Sequence, residues 1–435
     1  MKAPRTFAWL APCILGTSLD AATVDYATLD DARLEALIEE ALARNPGVQA
    51  ADWHETAARE QIATAGALPD PTLQLTGFAQ SPQTRVGPQV GGVAVSQRLP
   101  WFGKRTDRSD ATTVRAEIQR EVATARRADV IREVKVAYYE LAYLDRAVAI
   151  TGEERELLEH YESLARARYS QGVGLQQAVV KLQAEITRVL TRRQELVRQR
   201  IDAESRLNAL RDRPAHAGIP KVRLGELPKV AVDQDRVLAI ARANAPEAKA
   251  AALAVDHDEV GVRLAQRRYW PDLVLGAAWG RIRTRDDQPG RSNPPPDNGK
   301  DTLGLTLGIN IPLHKGIYDA SVREAVARRS AAHDSHRLAL NGVGQVVRST
   351  GFALTTIEAQ IALFENALVP QAEQALRATE EAYATGTTGV LDLLDSEEVL
   401  LDVRLGLARL KADYLQALAA MERAIGAPFP LRSQS

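Results

Sequence analysis

The chain has 435 residues, of which 45% are hydrophobic and 26% charged, so it can bury a sizeable core in two or three domains. Its 55 basic and 56 acidic residues nearly cancel, which gives no electrostatic reason to expect nucleic acid as a partner. The only cysteine, Cys13, lies near the N-terminus, so the rest of the chain has no disulfide framework and no Cys-based metal site.

The N-terminal segment is interpreted as a secretory signal peptide spanning residues 1–22. Lys2 and Arg5 supply positive charge, a short apolar run follows, and small residues come after it. The alternative is a disordered tail. No later stretch has 18 consecutive apolar residues, so we predict no transmembrane helix, and contact with a membrane would require a β-barrel.

The chain contains two copies of one unit, because short motifs recur in the same order at similar separations. The recurring pairs are Tyr169–Gly172 with Tyr383–Gly386, Ala43–Pro46 with Ala243–Pro246, Pro69–Asp70 with Pro271–Asp272, and Leu99–Pro100 with Ile311–Pro312. Each copy is predicted to run short helix, helix, strand, loop, strand, very long helix, glycine turn, long helix. The first repeat is placed at 23–211, with strands at about 71–81 and 90–99 and a helical hairpin at 105–211. After a proline-rich linker at 212–232, the second repeat is placed at 233–427, with strands at about 271–283 and 301–312 and a hairpin at 316–427, before a tail at 428–435.

The predicted fold class is mainly α with a small β part. Apolar residues in the long helices alternate at spacings of three and four, the 3.5-residue period of left-handed coiled coils. In the first copy these residues are Val130, Val134, Ala137, Leu141, Leu144 and Val148, and in the second copy's last helix they are Leu401, Leu405, Ala408, Ala412, Leu415 and Ala419. A helix over 105–169 would be roughly 95 Å long, longer than a compact globule of this size requires.

The strands alternate between apolar and polar residues. Four side chains on one face of the last strand, and one on its partner, are predicted to face lipid: Leu303, Leu305, Leu307, Ile309 and Trp279. A half-buried soluble hairpin shows the same alternation. One chain supplies four strands, too few to close a transmembrane barrel, so the geometry predicts an oligomer, and three chains would supply twelve strands.

These features together resemble the outer membrane efflux protein (TolC) family over nearly the whole chain after about residue 30. The most specific stretch is Tyr383–Asp395, which resembles the family's helix-turn-helix tip, with a Gly three residues after the Tyr and then two Asp three apart. Leu68–Pro71, Ser96–Lys104 and Val369–Glu373 are also similar to the family.

The resemblance implies a homotrimer in the outer membrane of a Gram-negative bacterium, with a twelve-stranded barrel in the lipid and twelve helices forming a periplasmic tunnel. It implies a periplasmic adaptor and a proton-driven inner-membrane pump as partners, with no enzyme activity, cofactor or nucleic acid. The segment Gln97–Lys104 resembles members that serve heavy-metal exporters. Metal cations, small organic molecules, and peptides or polymers remain open as substrates.

The resemblance also assigns a periplasmic gate to three residues: Asp392, Asp395 and Tyr383. In a trimer the two aspartates would form carboxylate rings that attract cations, although helix capping explains the same residues. Tyr383 matches a tyrosine that holds the entrance shut in the family, and helix-end packing is the alternative. Thr388 stands where the family has an arginine and Ala178 where it has an aspartate, so the gate would be held differently here.

Four glycines are predicted to form the two hairpin tips, where an adaptor would bind: Gly172, Gly174, Gly386 and Gly389. No catalytic pattern is present, and His333 and His336 have no third ligand, so we predict no catalytic, cofactor or metal site. Two rival interpretations are a periplasmic adaptor, which should have one hairpin and not two full copies, and a soluble coiled-coil scaffold, which leaves the strand alternation unexplained.

Overall fold

The computed structural model describes residues 32–230, 233–427 and 429. The predicted signal peptide, and all of the predicted tail except Phe429, lie outside the described residues. The elements of the first half are α1 (Ala32–Arg44), α2 (Pro46–Ala65), β1 (Thr72–Gly77), β2 (Gln83–Thr84), β3 (Gly87–Leu99), α3 (Lys104–Ser170) and α4 (Gln176–Leu210).

The second half repeats this order. Its elements are α5 (Gln234–Asn244), α6 (Pro246–Gln266), a 3-10 turn (Arg267–Tyr269), β4 (Leu273–Ile282), α7 (Gln288–Ser292), β5 (Thr302–Ile309), α8 (Lys315–Leu363), a π-helical turn (Phe364–Leu368), α9 (Val369–Thr385) and α10 (Val390–Ile425). The predicted class, mainly helical with a small sheet, is confirmed.

The main core forms where the long helices of both halves meet. Val130, Val134 and Leu141 of α3 are fully buried, and Leu415 and Met421 of α10 pack into the same cluster. All of these except Met421 lie on the predicted stripes of 3.5-residue apolar spacing, so the stripe that marks each helix in the sequence is buried in the core. Residues 212–230 form no helix and pack over this core, with Ile219, Val222 and Val230 buried among its members.

A single antiparallel sheet joins the two halves in the order β1-β3-β4-β5, and the short β2 pairs with the start of β3. The β3–β4 ladder connects the repeats and runs from Leu99 opposite Leu273 to Gln89 opposite Ile282. The two repeats therefore share one sheet, because its central strands, β3 and β4, come one from each repeat.

The strand ends differ from the predicted intervals. β1 ends at Gly77 instead of 81, because the following segment forms β2, which pairs with the start of β3, itself beginning at 87 and not 90. Gly87 permits that hairpin with a φ of +132°, and a Cβ there would lie 1.8 Å from the carbonyl oxygen of Arg283. β5 ends at Ile309 and not 312, since the Asn310 side chain turns back to accept a hydrogen bond from the amide of Asp272.

The second copy's long helix is interrupted by the π-helical turn, which ends two residues before Pro370. Proline lacks an amide hydrogen and its ring crowds the carbonyl four residues earlier, so a regular α-helical turn cannot continue there. The wider turn relieves this conflict without ending the helix. On the facing helix, Gly406 admits the Phe364 ring, whose Cε1 would lie 3.0 Å from an added Cβ.

Candidate functional site

The two hairpin tips are tight turns that depend on glycine. Gly172 follows α3 with a φ of +76°, and Gly386 follows α9 with a φ of +78°, a left-handed conformation that side chains disfavour. Gly174 lies against the end of α3, where a Cβ would come within 2.9 Å of the Tyr169 amide nitrogen. Gly389 is the residue before α10. All four predicted tip residues thus lie at the tips, and adaptor contact there stays a prediction.

Asp392 caps the start of α10. Its carboxylate accepts hydrogen bonds from the Gly389 amide, at 3.3 Å, and from the Thr388 hydroxyl. The Thr388 hydrogen bond, followed by the Gly389 amide, lowers the pKa of Asp392 below its usual value. Asp395 lies one turn further along the same helix and is exposed. Capping is therefore one function of Asp392, and it leaves the carboxylate charged and at the surface.

Tyr383, the third predicted gate residue, is buried within the second hairpin and packs with Leu376 and Leu393. The guanidinium of Arg168 lies 4.8 Å from the centre of its ring. Arg168 also donates hydrogen bonds to the carbonyls of Tyr383, at 2.7 Å, and Ala384, at 2.5 Å. A cation at these last carbonyls of α9 is favoured by the helix dipole, so Arg168 attaches the first hairpin to the end of α9.

The two hairpins also meet through a smaller apolar cluster above the tips. Its buried members are Leu158, Tyr161, Ala165, Leu182, Val189, Ala372, Leu376, Tyr383, Val390, Leu393 and Leu400. Ala178, at the position of the family's aspartate, packs against this cluster. The Tyr161 hydroxyl donates to the carboxylate of Glu380, and burial, together with that carboxylate, raises the pKa of Tyr161.

At the opposite end of the molecule, one face of the sheet is apolar and open. Cross-strand pairing aligns Leu75, Val93, Trp279 and Leu303 in one row, and Leu73, Val95, Ala277 and Leu305 in the next. The predicted lipid-facing residues are exposed, from 41% for Trp279 to 87% for Leu305, with Leu303, Leu307 and Ile309 between. The other face carries small and polar residues such as Thr306 and Ser96.

A buried charge cluster fixes the junction between the sheet and the long helices. The Asp272 carboxylate, directly before β4, accepts hydrogen bonds from Lys104 Nζ at 2.8 Å, Arg98 Nη2 at 2.7 Å and the Trp101 amide at 3.1 Å. Against the opposing effect of burial, which is the largest single influence, these donors lower the pKa of Asp272 to about 2. Beside it the Trp101 and Trp270 rings stack 5.5 Å apart.

The sequence did not identify Arg168 or the Asp272 cluster as residues that hold these parts of the fold together. Arg168 carries no local signature, because its partners are backbone carbonyls more than 200 positions away. Asp272 had a signal in the repeated Pro-Asp motif, but its equivalent Asp70 is exposed, so the duplication alone does not distinguish the two. Within the described residues, no group of three or more His, Cys, Asp or Glu side chains is arranged to hold a metal.

One described helix, Lys315–Thr385, contains an 18-residue window apolar enough to cross a membrane by length and composition. Only 11% of that window is buried within the chain. The residues of this window are not all apolar, so it does not meet the criterion of 18 consecutive apolar residues, and for that reason the sequence predicted no transmembrane helix. Length and composition are weak grounds for a span, and the exposed apolar face indicates a surface that needs a partner.

Comparison with known proteins supports one family. The Outer membrane efflux protein model matches the chain twice, over residues 37–212 and 237–427. Outer membrane protein TolC of Vibrio cholerae serotype O1 is 26% identical over 185 residues, which are 41% of this chain and 40% of that relative. The chain thus matches less than half the length of this curated relative.

Two solved structures are similar over almost the whole fold. The outer membrane protein VceC of Vibrio cholerae has a TM-score of 0.75 at 21% identity, covering 92% of this chain and 97% of that one. The open state of the MtrE outer membrane channel of Neisseria gonorrhoeae has a TM-score of 0.74 at 20% identity, covering 93% and 91%.

The family match covers most of the chain in two consecutive halves, in agreement with the duplication seen in the sequence and the fold. It confirms the predicted outer-membrane location and the prediction that the chain is not an enzyme. The chain belongs to the outer membrane efflux protein family.

Proposed function

We propose that this chain is the outer-membrane duct of a three-part efflux system. Three copies would close a twelve-stranded barrel and a helical periplasmic tunnel. The tunnel would dock on a periplasmic adaptor and a proton-driven inner-membrane pump. The duct itself would conduct metal cations or small organic molecules passively to the exterior.

The observation that carries this proposal is the open sheet. Within the described residues β1 and β5 each have one edge with no partner strand, and unpaired edges of long strands invite pairing with another chain. The apolar rows are largely uncovered, with Leu305 87% exposed. Pairing β1 of one copy with β5 of the next would satisfy both edges, and lipid would cover the apolar face.

The helices support the same assembly. α8 buries little of its length, and it exposes large apolar side chains such as Leu338 and Phe352, at 72% and 68%. Such a surface is expected where another copy packs beside it. Trp101, Trp270 and Phe102 cluster where the sheet meets the helices, the level at which aromatic rings favour a membrane–water interface.

The tips support a gated, cation-attracting entrance. Asp392 and Asp395 are exposed near the start of α10, and in a trimer each would be repeated three times around the tunnel axis. Charge rings of this kind raise the local concentration of cations. The glycine turns at both tips would offer the adaptor its binding surface.

Native mass spectrometry of detergent-extracted outer membranes tests the assembly. We expect three chain masses in one particle, found only with detergent, because the sheet edges and apolar face need partners. A soluble monomer or dimer in the aqueous fraction would contradict the duct and would favour a periplasmic adaptor or scaffold.

Planar-bilayer recordings test the carboxylate rings. We expect the double variant Asp392→Asn/Asp395→Asn to lose part of the cation selectivity, since asparagine preserves capping but removes the charge. Glu381→Gln, an exposed acid on α9, is the matched control and should leave selectivity unchanged. Equal selectivity in the double variant and the wild type would exclude the ring.

A further inference from the structure

Two glutamates face each other inside the contact between the hairpins. Glu154 of α3 and Glu397 of α10 are 7% and 3% exposed, and both side chains line the same two cavities within this contact. Glu397 lies about 11 Å along α10 from Val390, at 1.5 Å per residue. The pair therefore joins the first hairpin to the second, just above the tips.

The cations nearby do not neutralise this pair. From α4, Arg188 pairs with Glu185 and Glu398, and Arg192 pairs with Asp402. From α10, Arg404 pairs with Glu153 of α3 and Glu373 of α9. Tyr161, whose pKa is also raised by both glutamates of the pair, donates its hydroxyl hydrogen bond to Glu380. Among the described residues, no Lys, Arg or His comes within 4.0 Å of either carboxyl group.

Apolar and charged side chains both surround the pair. A cavity of about 50 Å³ beside it is lined by Ile150, Leu157, Leu400 and Leu401 together with charged side chains. One oxygen of Glu397, Oε2, is buried without a hydrogen-bond partner. On the other side a cavity of about 200 Å³ reaches the paired arginines of α4, which offers a path for a proton to solvent.

Two carboxylates have no proton to donate to each other, whereas protonation of one supplies a donor for the other. Burial without a counter-cation strongly disfavours a second negative charge at the same place. We propose that Glu154 and Glu397 form a proton-binding site that holds α3 against α10 and separates them when the proton leaves.

The electrostatics agree with this geometry. Burial, followed by the hydrogen bond and repulsion from Glu397, raises the pKa of Glu154 to about 10. A folded-state pKa above the unfolded value of 4.5 means that the folded chain binds the extra proton between these values. Stability therefore decreases as pH rises from about 4.5 to about 10, and the contact is weakest at alkaline pH.

Infrared spectroscopy tests the proton directly. At neutral pH the wild type should show the carbonyl stretch of one protonated carboxylic acid, and the band should disappear as pH rises past about 10. The band should be absent from Glu154→Gln/Glu397→Gln, and it should persist in the control Glu398→Gln, which removes an exposed acid on the same helix. No such band in the wild type, or an unchanged band in the double variant, would overturn the proposal.

Distance measurement tests the separation. Spin labels at Glu156→Cys on α3 and Val399→Cys on α10 occupy exposed positions next to the pair. We expect the distance to increase at alkaline pH in the otherwise wild-type chain and to stay constant with both glutamines, which remain neutral. An equal change in both backgrounds would refute the release. Neither measurement depends on transport, so the proposed duct function and the proposed proton-binding site can be refuted independently.

Discussion

The Asp272 cluster offers the sharpest test of how the sheet is joined to the helices. Lys104 and Asp272 form an ion pair at 2.8 Å with side chains 9% and 7% exposed. Asp272→Asn leaves the Lys104 ammonium buried without a counter-charge. Removing one partner of such a pair costs about 3–5 kcal/mol of unfolding free energy, because the remaining charge is desolvated and unpaired.

The double variant Lys104→Met/Asp272→Asn removes both charges. It should be more stable than the sum of the single variants predicts, with a coupling energy of about 2 kcal/mol. The matched control is the pair Arg85 and Asp297, also bonded at 2.7 Å but with side chains 68% and 39% exposed. Because solvent screens these charges, the coupling energy of the exposed pair should be less than about 1 kcal/mol.

Denaturant unfolding of the detergent-solubilised protein measures the coupling energy in both double-mutant cycles, one for Lys104 and Asp272 and one for Arg85 and Asp297. Tryptophan fluorescence reports on the Trp101–Trp270 stack beside the cluster, and far-UV circular dichroism reports on the helices. A coupling energy for Lys104 and Asp272 no larger than that of the exposed pair would refute the view that this junction depends on a buried charge.

Two further predictions concern pH and the tips. The pKa of Asp272 is lowered to about 2 from 3.8, so its stabilising contribution is present above about 4 and is lost as pH falls towards 2. The free energy of unfolding of wild type should therefore fall more between about pH 4 and about pH 2 than that of Lys104→Met/Asp272→Asn, where this titration is absent. Arg168→Ala should increase hydrogen exchange at the end of α9, because the carbonyls of Tyr383 and Ala384 lose their donor. Arg166→Ala, which removes an exposed arginine two residues earlier, should not. Equal exchange in the two variants would show that the α9 end is held by other contacts.

The sequence predicted what repetition and periodicity control. The apolar stripe of Val130, Val134 and Leu141 identified both the helix and its buried face, because a long helix repeats the same requirement many times. The alternation around Leu305 likewise predicted the strand and its open face.

Features that depend on a single contact were less predictable. The end of β5 is set by the Asn310 side chain bonding to Asp272, and the start of β3 by the fit of Gly87 against Arg283. Gly172 and Gly386 were recognisable because a left-handed turn demands glycine. Arg168 was not, since its partners are backbone atoms that any sequence would provide. The buried pair of Glu154 and Glu397 was missed for a similar reason, as each residue alone looks like an ordinary charged position on a helix.

The main core gives the hairpins the mechanics of a lever. The last residue of α3 that belongs to the main core is Ile150, and the helix continues to Ser170. The end of α3 therefore projects about 30 Å beyond the main core. If this projecting part of α3 rotates as a rigid body by about 10° where it leaves the core, its end moves by about 5 Å, close to the pitch of one helical turn. Small adjustments in core packing are thereby amplified at the tips, where the smaller apolar cluster and a few polar contacts hold the described parts of the two hairpins together.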